Sequence, residues 1–128
     1  RLTMGARTLP DAPSRNVVGE LAGRERPEEV VVMGGHSDSW DVGAGAMDDG
    51  GGVVVAWEAI RLLNRLGLHA RRTIRVVGWV NEENGLRGGT GYRDAHLAEL
   101  DQGRGGEITG SGTWTTINIG KPAARASP

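Results

Sequence analysis

Side chains able to hold a cation or move a proton gather at two points of the chain. His36, Asp38, Asp48 and Asp49 lie in the glycine-rich stretch GGHSDSWDVGAGAMDDGGG, residues 34–52. Glu82 and Glu83 lie in WVNEENG, residues 79–85. Imidazole nitrogen and carboxylate oxygen are suitable zinc donors. An aspartate two residues after a ligand histidine, where Asp38 stands, can hold the second ring nitrogen and fix the tautomer. Adjacent glutamates can divide their work, one binding metal and the other moving a proton. The glycines let a loop fold close around an ion.

Each of these residues also has a plainer reading. Asp48 or Asp49 can simply cap the helix that follows. His36 alone reads as a hydrogen-bonded structural histidine, and Glu82 and Glu83 alone as solvated loop charges. A dinucleotide loop is a further alternative, because the glycines stand between a strand and a helix. However, GAGAMD, residues 43–48, puts aspartate where that fingerprint needs its third glycine. Two carboxylates at a helix N-terminus would also repel a pyrophosphate. The metal reading accounts for more of the residues at once.

The elements that must position these groups can be read from apolar spacing. VVVMGG, residues 30–35, and TIRVVGWV, residues 73–80, are short β-branched runs of the kind buried on both faces of a sheet. Between them, residues 50–66 carry Val53, Ala56, Trp57, Ile60 and Leu63 at three- and four-residue steps. That spacing predicts a helix with one apolar face, and Gly67 stands where a left-handed cap would close it. A second helix is expected over residues 86–100. NVVGELAG, residues 16–23, reads as another strand, and RLTMGART, residues 1–8, as a weakly alternating one; RERPEE, residues 24–29, reads as a polar turn. TWTTINI, residues 113–119, reads as an edge strand within an otherwise unpatterned tail. Strand, helix, strand makes a βαβ unit, and sites in such sheets form beyond the carboxyl ends of the strands. Neighbouring strands are ~5 Å apart, so His36 and the Glu82–Glu83 pair would share one rim.

Composition bounds the possible functions. The chain has 128 residues, a formal net charge of −1 and no cysteine. No basic field argues for nucleic acid or an anionic membrane. Thiolate metal sites and disulfides are excluded, and no apolar run approaches the ~20 residues of a membrane-spanning helix.

SRNVVGEL, GGHSDSWDVGAGAMDDGGG, WEAIRLLNRLGL and RRTIRVVGWVNEENGLRGG together resemble the co-catalytic zinc exopeptidases, a family of zinc aminopeptidases and glutamate carboxypeptidases. The form of the second stretch is most similar to the carboxypeptidase Q-like branch. The resemblance covers residues 1–101 and leaves 102–128 as an unmatched tail, expected to be poorly ordered. It implies an α/β fold, a three-layer α/β/α sandwich on a mostly parallel mixed sheet, incomplete in this chain. It implies two zincs, with His36 a ligand of one, Asp48 bridging both and Glu83 a ligand of the other. Asp38 then orients His36, Glu82 is the general base, and the Asp48–Asp49 peptide bond resembles one that is cis in several members. The implied reaction is peptide-bond hydrolysis by a zinc-activated water, acting on a peptide or dipeptide in a secreted or extracytoplasmic setting.

The family pattern also needs an aspartate in a later strand and a histidine further on, and neither has a counterpart here. His69 and His96 match no ligand position and read as surface histidines. The chain thus supplies three of five metal ligands. The alternative is therefore a truncated or degenerate non-catalytic fragment that binds metal weakly. The chain alone is expected to hold fewer than two zincs tightly and to turn over little or no peptide.

Overall fold

The computed structural model describes residues 1–97, together with the two strands at 108–110 and 115–118. The strands and α-helices in chain order are β1 (Val17–Leu21), β2 (Arg26–His36), α1 (Gly51–Arg65), β3 (Arg72–Trp79), α2 (Arg87–Ala95), β4 (Ile108–Gly110) and β5 (Thr115–Asn118), with a short π-helical turn at Ala46–Gly50 before α1. They form one open mixed sheet in the order β1-β3-β2-β5-β4. The expected βαβ unit is present: β2 and β3 run parallel, with α1 between them in sequence. The other three strand pairs are antiparallel. Among the described strands, therefore, the parallel character is confined to the pair that carries the candidate site.

Residues alternate between the two faces of a strand, and the two helices cover opposite faces. Val30, Val32, Val77 and Trp79 form the core under Tyr92 of α2, with Trp79 and Tyr92 edge to face at 6.4 Å. On the other face, Gly35 meets the first turn of α1: a Cβ there would lie 2.8 Å from the Val53 nitrogen. The helix and sheet can approach so closely only because Gly35 has no side chain. The apolar face of α1 read from the sequence is the more buried one, and Gly67 closes the helix with φ +65.

Several expectations are corrected. Residues 1–15 form no strand. The polar segment from Arg26 onward belongs to β2, after a register shift between Arg26 and Val30. The buried Thr73 hydroxyl explains that extension: it donates to the Pro27 carbonyl at 2.7 Å and accepts from the Gly23 N–H at 3.1 Å. β5 falls within the stretch expected to be an edge strand, but it lies inside the sheet, between β2 and β4. The expected second helix ends at Ala95, and its last residues, like most of 102–128, lie outside the described residues. His69 is exposed, whereas His96 is half-buried and stacks on Tyr92 at 4.1 Å.

Candidate metal centre

The parallel register of β2 and β3 pairs His36 with Trp79. One strand therefore ends at His36, and the other releases the chain into residues 80–86 immediately beside it. The loop is drawn to the rim by the Ser37 N–H, which donates to the Trp79 carbonyl at 2.7 Å. Asn16 anchors its far side, accepting from the Val80 N–H at 3.0 Å and donating to the Gly88 carbonyl at 2.9 Å. Asn81 takes a left-handed conformation with φ 56, which asparagine tolerates better than most residues. This turn directs the Glu82–Glu83 pair toward His36.

His36, Asp48 and Glu83 converge, with one ligand-type atom from each within 4.8 Å of the others. The imidazole is buried, Glu83 half-buried and Asp48 exposed. His36 Nε2 lies 2.8 Å from Asp48 Oδ1 and 3.8 Å from Glu82 Oε2. Its Nδ1 lies 2.9 Å from the Asp38 carbonyl oxygen. A carbonyl only accepts, so Nδ1 carries the hydrogen; in the neutral ring the lone pair that can bind a cation is then on Nε2, and in the protonated ring Nε2 donates to Asp48 Oδ1. Burial pushes the His36 pKa down, but the Asp48 hydrogen bond, the Asp38 carbonyl and the charges of Glu82 and Asp38 outweigh it. The imidazole is left above its ordinary value.

Asp38 departs in detail from the expected arrangement. Its carbonyl makes the close contact with the ring, and its carboxylate stands further off, at 3.5 Å from Nδ1. The carboxylate oxygens accept instead from the Glu82 N–H at 2.9 Å and the Glu83 N–H at 3.2 Å. Burial raises the Asp38 pKa, and these two backbone donors outweigh it, holding the carboxyl below its ordinary value. Asp38 thus touches both the histidine and the main chain of the glutamate pair.

The two neighbouring aspartates separate by burial. Asp48 projects toward His36. Asp49, only 2% exposed, accepts from the Gly52 N–H at 2.9 Å, in the first turn of α1, and from the His36 N–H at 3.2 Å. The capping reading therefore fits Asp49, and Asp48 is left to face the rim. The peptide bond between them is cis. Sequence reasoning did not anticipate the His36–Asp49 contact or the Asn16 anchor. The paired glycines before His36 were the available signal for the first, and nothing in the sequence signalled the second.

The donor set fits a divalent cation. Among the described residues no arginine pairs with Asp48, Glu82 or Glu83, and His36 is the one basic group beside them. One nitrogen and two carboxylate oxygens within reach of a common point can take zinc, and the group holds surplus negative charge to neutralise. No helix among the described residues is long and apolar enough to cross a membrane.

Residues 16–104 match the family model described as Peptidase family M28. Carboxypeptidase Q of Xenopus laevis is 46% identical over 132 aligned residues, covering 98% of this chain and 28% of that protein. Carboxypeptidase Q of Homo sapiens is 52% identical over 100 residues, covering 78% of this chain and 21% of that protein. A crystal structure of a peptidase M28 precursor from Shewanella amazonensis superposes with TM-score 0.65 at 45% identity, covering 68% of this chain and 20% of that one. The chain thus spans between a fifth and a third of the length of each of these relatives.

Proposed function

The chain belongs to peptidase family M28, and from that premise we propose that it carries part of a zinc exopeptidase site. The observation that carries the reading is the convergence of His36, Asp48 and Glu83 at the carboxyl-terminal rim of the parallel pair. In this reading His36, Asp48 and Glu83 would hold zinc, with Asp48 the residue that would be shared if a second ion were bound. Bound zinc would supply Lewis acidity toward water and the scissile carbonyl. Glu82 takes a proton from the attacking water and delivers it to the departing amine, so that the peptide bond is replaced by a carboxylic acid and an amine. Asp38 keeps Nδ1 of His36 protonated through its carbonyl and fixes the backbone of Glu82 and Glu83 through its carboxylate. The substrate is a peptide or dipeptide, and a secreted or extracytoplasmic location goes with this reading. Residues 1–101 are the part assigned to the catalytic domain.

A second reading, metal binding without turnover, is favoured by the number of donors. His36, Asp48 and Glu83 are the one group of three or more potential ligands among the described residues. Shared between two ions, they leave each short of the three protein ligands usual in catalytic zinc sites. Zinc stoichiometry by elemental analysis after dialysis, paired with hydrolysis of an aminoacyl or dipeptide reporter, separates the two readings. The expected result for the 128-residue chain is fewer than two retained zincs and little turnover. Two tightly held zincs with chelator-sensitive turnover would establish the complete site. No zinc retention above that of the His36→Ala variant would overturn both readings.

A further inference from the structure

Asp49 is a carboxylate 2% exposed at the junction of the rim and the helix that follows it. Each of its oxygens has a separate backbone donor: Oδ2 accepts from the His36 N–H at 3.2 Å, and Oδ1 from the Gly52 N–H at 2.9 Å. It sits against the N-terminus of α1, where a negative charge is favoured by unpaired N–H groups and by the helix dipole. Its burial and its two engaged oxygens make it an unsuitable metal ligand. The chain neighbours of these contacts give the arrangement its meaning. His36 is one candidate ligand, held by its own main chain, and Asp48 is another, joined to Asp49 through one peptide bond. The two meet at 2.8 Å.

We propose that Asp49 is a positioning residue that fixes the spacing of His36 and Asp48. This rests on the metal reading given above. β2 delivers His36, the loop delivers Asp48, and nothing in the sheet ladder ties that loop to the strand end. The Asp49 carboxylate makes the tie and uses the first turn of α1 as its foundation. Gly35, next to His36, leaves the space: a Cβ on it would lie 2.4 Å from Asp49 Oδ2. Groups that orient the ligands of a metal site in this way tune its affinity without touching the ion.

The test measures zinc affinity by competition with a chromophoric chelator on the whole chain, together with thermal stability in EDTA. Asp49→Asn keeps the size of the side chain but turns one acceptor into a donor, so one of the two N–H groups faces another N–H. Zinc affinity is expected to fall about 10- to 100-fold, the usual cost of losing such a partner. Val32→Ala is the control, because Val32 is 0% exposed in the core and lies outside the site. It should lower the melting temperature yet leave zinc affinity within about twofold, since truncating a core residue acts through its cavity. Asp49→Asn binding zinc like the unmodified chain, or losing no more affinity than Val32→Ala, overturns the inference alone. An unmodified chain that holds zinc no better than His36→Ala overturns the metal reading and this inference with it. If Asp49→Asn does not fold, hydrogen exchange on the unmodified, zinc-free chain decides the matter. Slow exchange of both the His36 and Gly52 amides supports the tie, and fast exchange of either overturns it.

Discussion

Replacing Gly35 with alanine should damage the molecule far more than the same change at Gly78, although the two are register partners in adjacent buried strands. A Cβ on Gly35 would stand 2.4 Å from Asp49 Oδ2, 2.8 Å from the Val53 nitrogen and 3.0 Å from the Gly52 carbonyl carbon, where ordinary contact begins at 3.4 Å. The overlap with Oδ2 is therefore about 1 Å. Two of the three neighbours are backbone atoms at the start of α1, which can move only if the helix shifts. The easier relief is for Asp49 to swing away, breaking at least one of its two hydrogen bonds. A hydrogen bond to a charged group contributes about 1.5–3 kcal/mol, and Gly→Ala returns about 0.4–1 kcal/mol by restricting the unfolded chain. The loss wins, leaving a net destabilisation of about 1–2 kcal/mol if one bond breaks and more if both do. For a chain of 128 residues each kcal/mol shifts Tm by about 3–5 °C, so Gly35→Ala should melt about 3–10 °C lower. At Gly78 the nearest atoms to a Cβ lie 4.0 Å away, an ordinary contact, and Gly78→Ala should be neutral or slightly stabilising. Thermal unfolding followed by circular dichroism in EDTA provides the assay. If the two variants melted within about 2 °C of each other, the close approach of α1 to β2 would not be as described, and the argument from Gly35 to Asp49 would fail with it.

Three further outcomes follow from the same geometry. Asp38 has a folded-state pKa below its ordinary value of 3.8, so its stabilising contribution is present above that pH and is lost as pH falls through the folded value. The metal-free chain should weaken on acidification below about pH 4, and Asp38→Asn should flatten that slope in an acid titration followed by circular dichroism. Glu83→Gln removes one of the crowded charges, so it should raise Tm in EDTA while lowering zinc affinity; Glu82→Gln should leave zinc bound and, where turnover is present, cut it by ~100-fold. Asn16→Ala strands the Val80 N–H and the Gly88 carbonyl, which should cost about 2 kcal/mol in chemical denaturation, whereas Asn16→Asp keeps the acceptor and should cost less.

The βαβ unit was legible because two β-branched runs and a helical apolar period each have one economical interpretation. The shared rim then followed from placing those strands side by side, and the register of His36 with Trp79 agrees with it. Strand direction was not legible away from that unit. A short apolar run such as VVGEL buries equally well in either sense, and β1 pairs antiparallel with β3. Arg26 to Glu29 read as a turn because they are polar, yet they extend β2, held by a hydroxyl from Thr73 more than forty positions along the chain. Asp48 and Asp49 could not be separated by type or spacing. The distinction is one of burial, and it appears only once Gly35 and the first turn of α1 are in contact.

Charge explains why so many acidic groups can share this rim. Five carboxylates surround one imidazole, but they are not equivalent. Asp38 and Asp49 are compensated by four backbone N–H donors and serve the architecture. Among the described residues, Asp48, Glu82 and Glu83 are given no such donors and no arginine pairs with them. Two unit charges within 4.8 Å, the reach of the Asp48–Glu83 pair, repel by at least about 0.9 kcal/mol in water and about 3.5 kcal/mol at an effective dielectric of about 20. Asp48 is exposed, which places that pair nearer the lower figure. The raised pKa of His36 is one response to the same field, since a proton on the ring partly neutralises it. A divalent cation would neutralise it more fully, and the Asp38 carbonyl holds the hydrogen on Nδ1, so that the neutral ring has its lone pair on Nε2. Proton and metal therefore compete for one nitrogen in a site whose geometry is set by other carboxylates, so metal affinity should rise with pH through the titration of His36.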